Sequence, residues 1–354
     1  MKTVYILGAG FSKEAKLPLA DEFFPAMQEV RDTLENQSPH IMVPLNQILT
    51  FHADLKKSFI TPPININNIE DVFSLIASDS LGRNDSNLQR FMMQMAVAYT
   101  LSIKTRNLCL NDPSIVSDYA RWLSIMVGNV KRDDLGNTAI ITLNYDEIIE
   151  ISCRHNSFKY NHGFVPDLHP YELRKVEQSF LTNSVFTSSL DTNSLSIYKL
   201  HGSVRWLRIK SHQRELGLRI GHPLSHITGE EFAFLPSDYE ILIEPPIFGK
   251  TISDPYLQRQ WSCAYDALRN AHRVIIIGYS FPRTDQHIPY LLISALRNNS
   301  VGRSCVIVNP ESSENKEIVS IAGHLYHLHV FDYLDTLDIT AREFFDNPKY
   351  EGMR

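Results

Sequence analysis

The sequence predicts an α/β fold, a mainly parallel β-sheet with helices on both faces and a helical insertion or subdomain added to it. Three observations carry this expectation. Short apolar runs rich in β-branched residues, TVYIL (3–7), TAIITLNYD (138–146), RVIIIGYS (273–280) and SCVIVNP (304–310), read as buried strands that end in turn residues. Stretches with helical spacing lie between them, and such alternation builds parallel sheets with crossover helices. The first run leads at once into Gly8-Ala9-Gly10-Phe11-Ser12, a strand, a Gly-x-Gly turn and then a helix.

Each element follows in order. Residues 3–7 form the first strand, and Ser12 is placed to cap the helix after it. From residue 21 to about 130 the pattern is mostly helical. IEDVFSLIA, LQRFMMQMAVAYTLSI and SIVSDYARWLSIMV repeat apolar residues every three or four positions, with Asp71 and Ser114 near helix starts. TPPININN marks a loop. Met92, Met93 and Met95 suit a core, and an interface as the second choice. A helix is expected near Tyr145 after the second strand. SIYKLHGSVRWLRI (196–209) reads as two extended segments joined at Gly202, and YEILIEPPI (239–247) as another strand. SDPYLQRQWSCAYDALRNA and DQHIPYLLISALRN are helical patterns around the third strand run.

The chain has 354 residues, which suits one large domain with insertions. We read a single domain over 1–354, with a mostly helical insertion at about 21–135 and a smaller irregular one at about 156–195. Hydrophobic residues make up 43% and charged residues 21%, an ordinary globular balance. The net charge of −6 supplies no basic surplus to make nucleic acid the main partner. The four cysteines, Cys109, Cys153, Cys263 and Cys305, form no Cys-x-x-Cys pair. No zinc site is therefore expected, and the cysteines read as reduced and buried, as in a cytoplasmic protein. No apolar run nears the ~20 residues of a membrane span. The opening imitates an export signal, but Lys13, Glu14 and Lys16 cut its apolar stretch short.

In an open parallel sheet, ligands bind beyond the carboxyl ends of the strands. The residues there are Gly8 to Ser12, Asn144-Tyr145-Asp146, Gly278-Tyr279-Ser280 and Asn309-Pro310. Glycines let a backbone approach a phosphate closely. A full dinucleotide fingerprint would place glycine where this chain has Lys13. Gly249-Lys250-Thr251 ends like an ATP-binding loop but lacks the earlier glycine, with Glu244 in its place. His201, beside Gly202 and one of 14 histidines, reads by itself as a core histidine holding a backbone carbonyl.

The ordered set GAGFS, TLNYD, LHGS, IGYSFPRTD and IVNP resembles the sirtuin-like family. The resemblance implies a Rossmann-type core that binds NAD and cleaves its nicotinamide–ribose bond. It implies that Gly8, Ala9, Gly10, Phe11 and Ser12 form the NAD turn. Asn144 would orient the attacking water, Asp146 would shape the nicotinamide pocket, and His201 would be the base. Gly278, Tyr279, Ser280 and Asn309 would line the adenosine half; Asp285 joins the NAD-binding set with no role assigned. LPLADEFF, LNYD, EPPIFGK and GYSFPRTD look like the bacterial branch that hydrolyses NAD in defence against phage. The implied activity is an NAD⁺ glycohydrolase needing no cofactor beyond its substrate. The alternatives are an NAD-dependent deacylase or ADP-ribosyltransferase, and a non-enzymatic module that senses NAD or ADP-ribose. The implied partners are further copies of the chain and a separate regulator such as a HerA-type ATPase or an Argonaute-like protein, with no membrane.

Overall fold

The computed structural model describes residues 2–34, 39–58, 64–80, 86–128, 135–163, 193–209, 218–220, 239–245, 252, 254–297, 303–328 and 330–354. Its strands are β1 (Thr3–Leu7), β2 (Thr138–Thr142), β3 (Tyr160–Asn161), β4 (Leu195–Lys199), β5 (Gly202–Ile209), β6 (Leu218–Ile220), β7 (Tyr239–Ile243), β8 (Arg273–Ile277), β9 (Ser304–Val308) and β10 (Tyr333–Leu337). Seven of them form one sheet in the order β10-β9-β8-β1-β2-β4-β3, and every pairing in it is parallel. β6, β5 and β7 form a small antiparallel sheet.

The helices are α1 (Ala9–Ser12), α2 (Phe23–Leu34), α3 (Pro39–Lys57), α4 (Ile69–Ser80), α5 (Ser86–Asn111), α6 (Pro113–Val127), α7 (Ile148–Asn156), α8 (Pro255–Arg269), α9 (His287–Leu296), α10 (Lys316–His327) and α11 (Ala341–Asp346). The two faces of the sheet follow from period-2 side chains. Tyr5, Leu7, Ile140, Ile275 and Val306 face one core, with Trp122 and Leu123 of α6 and Phe344 and Phe345 of α11. Val4, Ile6, Ile141, Val274 and Ile307 face the other, with Leu268 of α8, Leu292 of α9 and Ile318 of α10. The fold class expected from sequence is thus the one found.

Residues 21–135 do not pack as one unit. α2 to α5 share a third core that also takes in Val204 of β5 and Ile241 and Ile243 of β7. Met93 and Met95 are buried in that core and Met92 packs against it, so these methionines are core residues. α6 belongs to the sheet instead, and Tyr119 on it donates through its hydroxyl to the Phe11 carbonyl at 2.6 Å.

Several local expectations are corrected. The first helix begins at Ala9 rather than after Ser12, so Ser12 caps no following α-helix and turns its hydroxyl to Asp146. Asp71 does lie in the first turn of α4, which Asn68 caps by accepting from the Glu70 and Asp71 amides. The helix expected near Tyr145 starts at Ile148. Cys153 and Cys305 are buried as expected, Cys263 is half-buried, and Cys109 is exposed. Residues 249–251 and most of 156–195 lie outside the described residues. Among the described residues no helix is long and apolar enough to cross a membrane.

Candidate functional site

The chain runs from β1 outward to β2 and the edge strand β3, fills the place between them with β4, and later continues on the other side of β1 through β8, β9 and β10. The crevice for a ligand opens where strand order reverses, at the carboxyl ends of β1 and β8. Register brings their turns together, since Leu7 pairs with Ile277. Gly278 takes φ +65°, and a Cβ there would sit 2.2 Å from the Phe11 nitrogen, so only glycine fits.

A cavity of about 600 Å³ opens at this point, within the range of small-molecule and cofactor sites. Ala9, Gly10, Ser12, Asn144, Asp146, His201, Gly278, Tyr279, Ser280, Asp285 and Asn309 all line it. Two expected residues stand behind the wall. The Phe11 ring is buried against Tyr119 and Trp122, with ring centres 5.2 and 6.3 Å away. Gly8 packs under Gly278 and Tyr279. The amides of Gly8, Gly10 and Phe11 already donate to Ile277, Gly278 and Gly8 carbonyls. The glycines of this turn therefore answer first to packing of the β1 turn against the β8 turn.

On one wall, hydrogen bonds assign the orientation of Asn144. Ser12 has a single hydroxyl proton and gives it to Asp146 Oδ2 at 2.7 Å. Its oxygen must then accept from Asn144 Nδ2 at 3.0 Å, while the same amide nitrogen donates to the Gly8 carbonyl at 2.9 Å. Both amide protons are used, which leaves Oδ1 as the acceptor. The second Asp146 oxygen accepts from the Ile148 amide at 3.0 Å and so starts α7. Asp146 therefore acts on the cavity through Ser12 and Asn144. Burial raises its carboxyl above the ordinary value, and Lys199 opposes that.

Lys199, at the end of β4, is 1% exposed. It donates to the Asp146 carbonyl and, at 3.0 Å, to Glu150 Oε1. Burial would raise Glu150, but Lys199 beside it outweighs this and holds the carboxyl below its usual range. Burial pushes His162 down to about 4, so it is neutral at pH 7, and its Nδ1 lies 2.9 Å from the Ile197 carbonyl.

The other wall holds His201, 2% exposed, whose Nε2 lies 2.9 Å from Asp285 Oδ2. Tyr279 donates its hydroxyl to the same oxygen at 3.0 Å. Burial, and Asp285 after it, raise the Tyr279 phenol well above its ordinary value, so it keeps that proton. A carboxylate can only accept, which places a hydrogen on His201 Nε2. The turn carrying Asp285 is reached through Phe281, a non-glycine residue at φ +53° whose ring packs 4.6 Å from Tyr279. Gly202, at φ +81°, turns β4 into β5 just after His201; a Cβ there would meet the Leu242 carbonyl at 2.0 Å.

Sequence reading missed Glu70 and Lys199. Lys199 carried a signal, a lysine inside an otherwise apolar strand run. Glu70 carried none, because it opens a helix remote in sequence from every strand end. Among the described residues no group of three or more His, Cys, Asp or Glu is placed to hold a metal ion.

A parallel sheet with a cavity at the reversal of strand order is the arrangement of a doubly wound α/β protein. The SIR2-like domain model matches residues 138–329, more than half of the chain, and the chain belongs to the SIR2-like family. The match spans Asn144, Asp146, His201, Asp285 and Asn309 and leaves out the β1 turn and Glu70. No curated protein sequence matches significantly. Similar solved structures include Sir2Tm bound to a propionylated peptide (12% identity, TM-score 0.41, 99% of this chain and 93% of that chain). A Sir2–p53 peptide–NAD⁺ complex has the same values. An ADP-ribose complex of a mutant Sir2 homologue shows 13% identity and TM-score 0.41, covering 99% of this chain and 92% of that chain. These likenesses are too distant to speak to function, and membership rests on the family match.

Proposed function

We propose that the protein hydrolyses NAD⁺ at the nicotinamide–ribose bond, giving ADP-ribose, nicotinamide and a proton. The orientation of Asn144 is the observation that carries the reading. Its amide protons are spent on Gly8 and Ser12, so its oxygen can hold a water or a ribose hydroxyl without acting as a nucleophile. His201 shares the cavity, fixed by Asp285.

The reaction asks for these groups. Nicotinamide leaves from a cationic ring, so its departure needs little acid help. Positive charge then develops on the ribose, as in glycoside hydrolysis. Water adds at the carbon that nicotinamide leaves, and the proton passes to His201, a base of the type that contributes ~10²–10⁴-fold. Gly10, Gly278 and Tyr279 form the floor over which the dinucleotide would lie, and Ser280 and Asn309 would flank the adenosine half. The Gly10 amide is spent inside the protein, so close backbone approach, more than amide donation, is what this floor offers.

An unrestrained NAD hydrolase would deplete its own cell. We therefore place the protein in the bacterial cytoplasm as a regulated effector of anti-phage defence, controlled by self-association or by a separate partner such as a HerA-type ATPase or an Argonaute-like protein. Native mass measurement on protein purified with the products of its genomic neighbours tests this control.

The activity is tested by following nicotinamide release from NAD⁺. Asn144→Ala and His201→Ala should each lower release by at least about 10²-fold with an unchanged circular dichroism spectrum. Release by both variants at the wild-type rate would refute the site. A wild type that releases nothing, alone or with its neighbours' products, would refute the activity, and release only with an acyl-lysine peptide would indicate a deacylase.

A further inference from the structure

Glu70 stands half-buried in the first turn of α4, on the cavity wall. Its backbone is fixed, with its amide donating to Asn68 Oδ1 and the Ile69 amide donating to the Ala20 carbonyl, each at 2.8 Å. Ile69, Val72, Phe73 and Ile76 lock the helix into the α2–α5 core. The carboxyl reaches across to the sheet, where Thr284 Oγ1 donates to Glu70 Oε2 at 2.5 Å. Thr284 directly precedes Asp285, the residue that holds His201. One hydroxyl thus joins the helical region to the His–Asp pair.

We propose that Glu70 is a positioning residue for the His201–Asp285 pair and acts on it through Thr284. The inference deepens the NAD-hydrolase reading, and it rests on that reading only where turnover is measured. The groups facing Glu70 are Asp71 on its own helix, Asp285 on the Arg283–Asp285 turn, and the phenols Tyr145, on the loop after β2, and Tyr279, at the end of β8. Burial raises the Glu70 carboxyl to about 7; Asp285 and Asp71 push the same way, and the Thr284 bond opposes them. Above that pH the carboxylate takes a charge-assisted bond from Thr284, which holds the Asp285 turn against α4. It also adds negative charge to a cavity where the ribose becomes cationic. Below that pH both effects fade, so cleavage should rise between pH 6 and 8.

Two measurements on the full chain test this. In the ligand-free protein, the Glu70 side-chain carboxyl is titrated by ¹³C NMR. Asp285→Asn should move its midpoint down toward the ordinary range, and Thr284→Val should move it up. A midpoint that Asp285→Asn leaves in place overturns the coupling. In turnover, Glu70→Gln keeps an acceptor for Thr284 but cannot ionise, and its thermal unfolding confirms folding. It should lose the rise through pH 7, with kcat at pH 8 down by about tenfold, the scale of one charged hydrogen bond, and KM little changed. Glu70→Asp should restore part of the rise. A Glu70→Gln profile superposable on the wild type overturns the proposal. If the wild type releases no nicotinamide at any pH, the hydrolase reading fails, and the carboxyl titration alone decides the Glu70 link.

Discussion

Two polar clusters meet at one cavity, and they differ in whether a lysine is among their described partners. The cluster under Asn144 gathers Ser12, Asp146 and Glu150 around a cation, Lys199. The cluster around His201 gathers Asp285, Tyr279, Thr284 and Glu70, with no lysine or arginine among the partners described for them. The outcomes differ accordingly. Glu150 is held below its usual range, while Glu70 is raised to about 7. Burial alone would raise both carboxyls; the neighbouring charge decides which keeps its proton. Glu150 therefore stays ionised near neutral pH, while Glu70 can titrate there.

The comparison breaks most sharply at Lys199. Lys199→Met leaves Glu150 buried without its cation and frees the Asp146 carbonyl. We expect a loss of about 3–5 kcal/mol, read by chemical denaturation. A loss below about 1 kcal/mol would mean that this cluster is not held together by its lysine.

The next effect is the pH dependence of the other cluster. The unfolded Glu70 carboxyl loses its proton near 4.5, and the folded one keeps it to about 7. The native state binds the extra proton in that window, so its stability falls as pH rises through it. A rise from 4.5 to about 7 corresponds to about 3 kcal/mol at most. Glu70→Gln should therefore stabilise the protein more at pH 8 than at pH 5, by about 1–3 kcal/mol, in denaturation curves at the two pH values.

The smallest effect sharpens the contrast between buried and exposed contacts on the same turn. Arg283 pairs with Glu317 at 3.1 Å, but its side chain is 86% exposed. Arg283→Ala should change stability by less than about 0.5 kcal/mol and leave nicotinamide release unaltered. A larger effect on release would show that the Asp285 turn is held from its solvent side rather than from Glu70.

Much of this was legible in the residue pattern. The β-branched runs ending in glycine or asparagine became β1, β2, β8 and β9, and the residues after them line the cavity. Strand ends carry their ligand-facing residues within a few positions, so local pattern and topology suffice to find Asn144, Tyr279 and Asn309. Phe11 was misplaced because a turn residue's direction depends on what packs behind it, here Tyr119 and Trp122 from α6. Ser12 was misread as a cap because its partner, Asp146, is 134 residues away.

By itself, then, the sequence determined the parallel sheet, the edge at which its cavity opens, and the polar residues presented there, because hydrophobic period and turn chemistry are local properties. Only the tertiary structure decided which amide atom of Asn144 points outward, which carboxyl meets Lys199 and which meets Thr284, and that a helix from the α2–α5 core delivers Glu70. Those outcomes depend on burial and on charges brought together from distant parts of the chain, and no local pattern records the distance between them.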